Sequence, residues 1–152
     1  MVEIRPMDEA DLARIAEIQD RCAEAAHWDP ASYLDHEALV AVTGGEPAGF
    51  LVLRATAGGE AEILNLAVDP AHRRQGVASA LLRDADLGRF EEVYLEVRES
   101  NSAARALYAA FGFVESGVRP NYYQCPREAG IVMKLQKWYG LGDEGPSGPP
   151  EV

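Results

Sequence analysis

The stretch AEILNLAVDPAHRRQGVASALL, residues 61–82, decides the reading of this chain. Ala61 to Val68 is a short apolar run, which predicts a strand. Asp69-Pro70 ends it, and Ala71 to Gln75 forms a loop into a helix that starts near Gly76. Val77, Ala78, Leu81, Leu82 and Ala85 recur at helical spacing and predict that helix's buried face. A helix start presents unpaired backbone N–H groups and the positive end of the helix dipole, which together favour phosphate. Gly76 removes a side chain where a phosphate must come close. Ala78 keeps the next turn small, and Arg73 and Arg74 add positive charge. The spacing Arg73-x-x-Gly76-x-Ala78 is short, and by itself also describes an ordinary turn with two solvated arginines.

The elements on either side complete a mixed pattern. Val2 to Arg5 alternates like a strand. Asp8 is placed to cap a following helix, with Met7 and Leu12 at staple positions. Leu12, Ile15, Ile18 and Cys22 form its core stripe, so Cys22 reads as a small core residue. His27 to Leu34 predicts a loop and a short second helix. Strands follow at Ala38 to Thr43 and Ala48 to Ala55, around a Gly44-Gly45 turn. Beyond the opening stretch, Val93 to Val97 predicts a strand. Ser100 or Asn101 then caps a helix with Ala104, Leu107, Tyr108 and Phe111 on its apolar face, and Gly112 stops it. Phe113 to Val118 and Ile131 to Leu135 predict a closing strand pair joined by a long loop. The order β-α-α-β-β-β-α-β-α-β-β makes an α/β (α+β) sheet protein, with residues 61–97 as a right-handed crossover unit. One domain is expected over 1–137, and the Gly/Pro-rich stretch 138–152 is expected to be a disordered tail.

Composition narrows the function classes. The chain has 152 residues, 47% hydrophobic, and a net charge of −11. Such a surface repels nucleic acid and anionic membranes and suits a cationic partner. No apolar run approaches the ~18 residues of a membrane span. The acidic start MVEIRPMDEA has no signal-peptide core, so a cytoplasmic protein is expected. Two cysteines, Cys22 and Cys125, are too few for a disulfide framework, and His27, His36 and His72 lack metal spacing, so no metal is expected. No G-x-G-x-x-G follows the first strand, which argues against a dehydrogenase-type dinucleotide domain.

Arg73-x-x-Gly76-x-Ala78 resembles the Q/R-x-x-G-x-G/A signature of the GCN5-related N-acetyltransferases (GNAT). Asn65-Leu-Ala-Val-Asp-Pro before it resembles that family's fourth strand. Leu95 to Phe113 and Arg119-Pro-Asn-Tyr122-Tyr123 resemble the branch of bacterial ribosomal-protein alanine N-acetyltransferases, the RimI type. The resemblance covers roughly residues 1–137 and is strongest over 63–82 and 93–123. It implies a mostly antiparallel sheet, flanked by helices, whose central parallel strands splay to admit acetyl-coenzyme A. It further implies that the backbone of Leu66, Ala67 and Val68 pairs with the pantetheine arm. Arg73 and the run Arg74, Gln75, Gly76, Val77, Ala78 and Ser79 then surround the pyrophosphate, and Asn101 also contacts the cofactor. Two segments depart from the branch: the short linker Asp86 to Glu92, and the 124–130 loop.

The chemistry needs a neutral amine, a polarised thioester and a proton for the leaving thiolate. By spacing, Tyr94, Glu96 and Arg98 share one strand face, and Glu96 also reads as a solvated residue paired with Arg98. The resemblance implies instead that Glu96 is the general base. Tyr108 lies seven residues after Asn101, ~20° apart around a helix, so both can face one site. It also reads as a core tyrosine, while the resemblance implies the general acid. Neither cysteine has a base beside it, so direct attack by the amine is expected over a covalent acetyl-cysteine. Trp28 and Tyr33, and Tyr122 and Tyr123, are the aromatics expected to face the acceptor. That acceptor is expected to be a protein or peptide N-terminal α-amine, with a basic ribosomal-protein terminus suiting the acidic surface. A small-molecule amine, or a catalytically silent coenzyme A-binding module, are the competing readings.

Overall fold

Apolar alternation in the first third of the chain builds three antiparallel neighbours, β1 (Glu3–Pro6), β2 (Glu37–Thr43) and β3 (Glu46–Ala55). Ile4 sits opposite Ala41, and Val40 opposite Phe50. Gly44 and Gly45 make the tight turn between β2 and β3, both at positive φ. β4 (Glu60–Val68) lies beside β3 and buries Ala61, Ile63, Asn65 and Ala67 on alternate positions. These observations come from a computed structural model that describes residues 1–22, 28–124 and 126–136. His27, Cys125 and the expected tail lie outside the described residues. The chain divides into two compact units, Met1–Thr56 with Glu62–Leu87, and Ala57–Ala61 with Gly88–Val152.

In the first unit, β3 is buried on both faces: Phe50, Leu51, Val52 and Leu53 are each at most 1% exposed. The reason is a helix on each side. α1 (Leu12–Arg21) lays Ile15 and Ile18 against Val40, Phe50 and Val52, with Met7, Cys22 and Tyr33 in the same cluster. α2 (Val77–Asp84) covers the opposite face, the one shared by Gly49, Leu51 and Leu53. α1 starts as expected from Asp8, whose side chain caps a 3-10 turn, Glu9–Asp11. Asp11 returns the bond to the Asp8 N–H, completing a capping box. Met7 and Leu12 pack into one cluster, as a staple requires. The second expected helix is a 3-10 segment, Pro30–Asp35, capped by Asp29.

In the second unit, β7 (Glu128–Gln136) runs between β5 (Glu92–Arg98) and β6 (Val114–Tyr123), antiparallel to both. α3 (Ser102–Phe111) is capped by Asn101, whose side chain accepts the Ala104 N–H at 3.2 Å. It ends in a Schellman-type stop. Gly112 takes φ 111, and the Phe113 N–H reaches back to the Tyr108 carbonyl at 2.9 Å. The last connection differs from the sequence expectation. β6 does not stop at Val118 but runs to Tyr123, which leaves a short turn in place of a long loop. Two register shifts, at Glu115/Gly117 and Arg119/Tyr123, make this possible. The second absorbs Pro120 and Asn121, the latter at φ 55, which a regular ladder does not accept.

Candidate active site

In the first unit, the segment after β4 is anchored by one buried carboxylate. Asp69 is 2% exposed, and its Oδ2 accepts Arg14 at 2.5 Å and Arg21 at 3.1 Å, both on α1. Its Oδ1 accepts the Ala71 N–H at 3.1 Å, and its own N–H reaches the Ala48 carbonyl at 2.8 Å. Burial by itself raises a carboxyl pKa. Here the Ala71 N–H and the Arg14 guanidinium outweigh burial and hold Asp69 below the usual carboxylate range.

Beyond this anchor the backbone turns out toward solvent. A 3-10 turn, Pro70–His72, leads to Arg74 at φ 64 and Gly76 at φ 77, two left-handed residues flanking Gln75. Arg73, Arg74, Gln75 and Gly76 are exposed. α2 begins with no side-chain cap, and the Ala80 N–H makes the first helical bond, to Gly76 O at 3.0 Å. A Cβ on Gly76 would meet nothing within 4 Å. An uncapped helix start with open space and arginines before it can take an anion such as a pyrophosphate. Leu66 and Val68 are half-buried and Ala67 is buried; Ala78 and Ser79 are half-buried and Val77 is buried. Gly49 makes room for this arrangement: a Cβ there would lie 2.9 Å from Ala67 O and 3.0 Å from Val77 Cγ1.

A buried polar trio stands behind β4. The Tyr33 hydroxyl donates to Gln19 Oε1 at 2.5 Å, and Asn65 Nδ2 donates to the Tyr33 oxygen at 3.1 Å. Gln19 Nε2 donates to the Trp28 carbonyl at 2.6 Å. Tyr33 is fully buried against Phe50, so it belongs to the core rather than to an acceptor surface, a correction to the sequence expectation. Trp28, by contrast, is 47% exposed. Cys22 is buried, and its thiol donates to the Val68 carbonyl at 3.3 Å.

In the second unit, Glu96, Tyr108, Tyr122 and Tyr123 come together on β5, α3 and β6. Glu96 lies opposite Val132 on β7, and its side chain is 13% exposed. Oε1 is 3.2 Å from the Arg119 guanidinium, while Oε2 is buried without a hydrogen-bond partner. A buried, unpartnered oxygen costs about 1–3 kcal/mol, so it is ready to receive a proton or a donor. Arg98 is not the partner its position two residues on implies. Its guanidinium is bound by Glu128 at 3.0 Å and by the Gln124 and Pro126 carbonyls, and it stacks 4.5 Å over Tyr123. The Arg98 pair and the Ser100 N–H hold Glu128 below the usual carboxylate range.

Tyr108 is buried, and Phe113 packs edge-on against it at 5.5 Å. Burial pushes its hydroxyl well above the usual phenol range, and the Tyr123 hydroxyl adds to the shift. Tyr123 itself is pushed up to about 12, first by burial and then by the charge of Glu96. Tyr122 and Tyr123 stand edge-to-face at 5.0 Å, over Gly130, where a Cβ would lie 3.0 Å from Tyr122 Cδ2. Sequence reasoning assigned no role to Arg119, Gly130, Gly49 or Asn65. Arg119 was visible only within the Arg119–Tyr123 resemblance, since no spacing rule links it to a residue two strands away. Among the described residues no group of three or more His, Cys, Asp or Glu could hold a metal ion, and no helix is long and apolar enough to cross a membrane.

Comparison with known proteins gives the family. Residues 5–113 match the family model for the acetyltransferase (GNAT) family, a span that includes parts of both units. The chain is 33% identical over 146 residues to the ribosomal protein bS18-alanine N-acetyltransferase of Escherichia coli, covering 89% of this chain and 97% of that one. It is 35% identical over 144 residues to the N-alpha-acetyltransferase RimI of Mycobacterium tuberculosis, covering 88% and 91%. The crystal structure of the Escherichia coli ribosomal-protein-S18-alanine N-acetyltransferase superposes with a TM-score of 0.81 at 31% identity, covering 94% of this chain and 98% of that one.

Proposed function

The chain belongs to the acetyltransferase (GNAT) family and is an acyl-transferring enzyme, and we propose that it acetylates a protein or peptide N-terminal α-amine with acetyl-coenzyme A. The observation that carries the reading is Glu96: a largely buried carboxylate with one oxygen ion-paired and the other unpartnered. In this reading Oε2 takes the proton that the amine sheds, directly or through water. The nitrogen attacks the thioester carbonyl, a C–N bond forms, the C–S bond breaks, and coenzyme A leaves as a thiolate. The net reaction moves one proton from nitrogen to sulfur.

Tyr108 is proposed to serve that thiolate. A free thiol has a pKa of ~8.5 and a phenol ~10, and burial raises Tyr108 further. Full proton transfer from Tyr108 to sulfur is therefore uphill, and its main contribution is a hydrogen bond to the developing negative charge. For the co-substrate, the backbone of Leu66, Ala67 and Val68 is proposed to pair with the pantetheine arm, and Arg73 to Ser79 to hold the pyrophosphate. Asn101 uses Oδ1 as the helix cap, so its amide nitrogen is the group proposed to reach the cofactor. Trp28, Tyr122 and Tyr123 are the proposed acceptor-facing aromatics. A cytoplasmic setting belongs to the same proposal.

The α-amine assignment follows from similarity to the alanine N-acetyltransferases and from proton energetics. An α-amine with a pKa of ~8 is neutral about a tenth of the time at pH 7, whereas a lysine amine at ~10.4 costs about 3 kcal/mol more to neutralise. One carboxylate suits the easier task. A net charge of −11 favours a basic peptide such as a ribosomal-protein terminus, with an attraction that salt weakens. The deciding experiment compares two forms of one basic peptide, one with a free N-terminal alanine and no lysine, the other N-blocked with a lysine. Faster acetylation of the free N-terminus is expected. Faster acetylation of the blocked lysine form, or of a small polyamine, overturns the assignment.

A further inference from the structure

We propose that Arg119 is the positioning residue of Glu96, holding one carboxylate oxygen so that the other is left to take the acceptor's proton. The inference rests on Glu96 being the proton acceptor. The two residues stand on β6 and β5 with β7 between them, Glu96 opposite Val132 and Arg119 opposite Gly130. The Arg119 guanidinium reaches across β7 to Glu96 Oε1 at 3.2 Å, while the space over Gly130 is taken by the Tyr122 and Tyr123 rings. Its other support is Tyr122, whose ring centre lies 5.2 Å from the guanidinium carbon. The bulge between Arg119 and Tyr123 is what brings Tyr122 back beside Arg119.

Three features separate this pair from an ordinary surface ion pair, which contributes little. Glu96 is largely buried while Arg119 is 57% exposed, so the cation comes to the carboxylate rather than both meeting in water. The nearer cation, Arg98 on the same strand face, is committed to Glu128 and the Gln124 and Pro126 carbonyls. Among the described residues Glu96 Oε2 has no hydrogen-bond partner. A carboxylate fixed at one oxygen cannot freely exchange its two oxygens by rotation about its terminal torsion, a broad two-fold rotor when unrestrained. Arg119 thereby sets which oxygen faces the amine, without itself touching the reacting atoms.

The test uses the full chain with acetyl-coenzyme A and an alanine-initiated peptide. The variants are Arg119→Ala, Arg119→Lys, Glu96→Gln and the Glu96→Gln/Arg119→Ala double. Because Arg119 is exposed, its variants are expected to melt close to wild type. Arg119→Ala is expected to lower kcat about 10- to 100-fold, the scale of a misplaced group, with the KM for acetyl-coenzyme A nearly unchanged. Arg119→Lys is expected to recover much of that rate, as is guanidinium chloride at low millimolar concentration added to Arg119→Ala. In the Glu96→Gln background, removing Arg119 is expected to add no further loss. If Glu96→Gln is slow while Arg119→Ala keeps full kcat, or raises only the peptide's KM, the positioning role is overturned and the base assignment stands. Fully additive losses in the double variant likewise overturn the positioning role alone. A Glu96→Gln variant at full rate overturns the base assignment, and the inference with it.

Discussion

Replacing Gly49 with alanine asks whether the packing beneath β4 and α2 is as tight as the geometry says. The added Cβ would lie 2.9 Å from the Ala67 carbonyl oxygen, 3.0 Å from Val77 Cγ1 and 3.3 Å from Val68 Cγ2. The first contact is with backbone, and real Cβ atoms essentially never approach that closely. The clash cannot be relieved by turning a flexible side chain. β4 or β3 has to shift, at an overpacking cost of about 1–3 kcal/mol. For a chain of this size each kcal/mol lowers Tm by about 2–4 °C, so a fall of about 2–12 °C is expected. The moving groups, Ala67, Val68 and Val77, belong to the proposed acetyl-coenzyme A contacts, so affinity for the co-substrate is expected to fall as well. The assay pairs thermal unfolding with calorimetric titration of acetyl-coenzyme A. Gly88→Ala is the control: a Cβ there meets nothing within 4 Å, and Gly88 is not left-handed, so a neutral or slightly stabilising effect, under about 1 kcal/mol, is expected. If Gly49→Ala melts with wild type and binds acetyl-coenzyme A unchanged, the close packing of β3 against β4 and α2 is refuted.

Three further outcomes are expected. Gly76→Glu places a side chain and a negative charge at the left-handed start of α2, and calorimetry should show acetyl-coenzyme A binding lost in a protein that remains folded. Tyr108→Phe keeps the edge-on packing with Phe113 and removes the donor, so slower transfer is expected with near-native melting and co-substrate affinity; an unchanged rate, with chemistry limiting, would return Tyr108 to a packing role. Asp11, bonded by Arg5 through both oxygens, and Asp69 both have folded pKa values lowered below the ordinary carboxylate value. Their stabilisation is therefore complete above the unfolded value near 4 and is lost as pH falls through the folded values. Acid titration of unfolding should show that loss, and Asp69→Asn should flatten it while costing about 1.5–3 kcal/mol at neutral pH.

What the sequence determined by itself is whatever depends on neighbours within about two helical turns. Periodicity placed Ile15 and Ile18 on the buried face of α1 and Leu81 and Leu82 on that of α2. The Asp8 cap, a cap at Ser100 or Asn101, the Gly112 stop and the turn at Gly44-Gly45 follow from local hydrogen bonding and φ alone. The helix start after Arg73 and Arg74 was legible for the same reason, whereas spacing alone read Glu96 as a solvated residue and Tyr108 as a core tyrosine, and only the family resemblance implied chemistry for them. Tertiary structure decided the rest, because strand register joins residues that no spacing connects. It gave Glu96 its partner from β6 and bound the nearer Arg98 elsewhere. It drew Tyr33 into the core through Gln19 and Asn65, from α1 and β4, where an aromatic in a polar segment had read as acceptor-facing. It carried β6 past Pro120 by a bulge, which local propensity counts as a strand end. And it made Gly49 and Gly130 necessary, since a missing side chain matters only where another strand's carbonyl or a tyrosine ring fills the space.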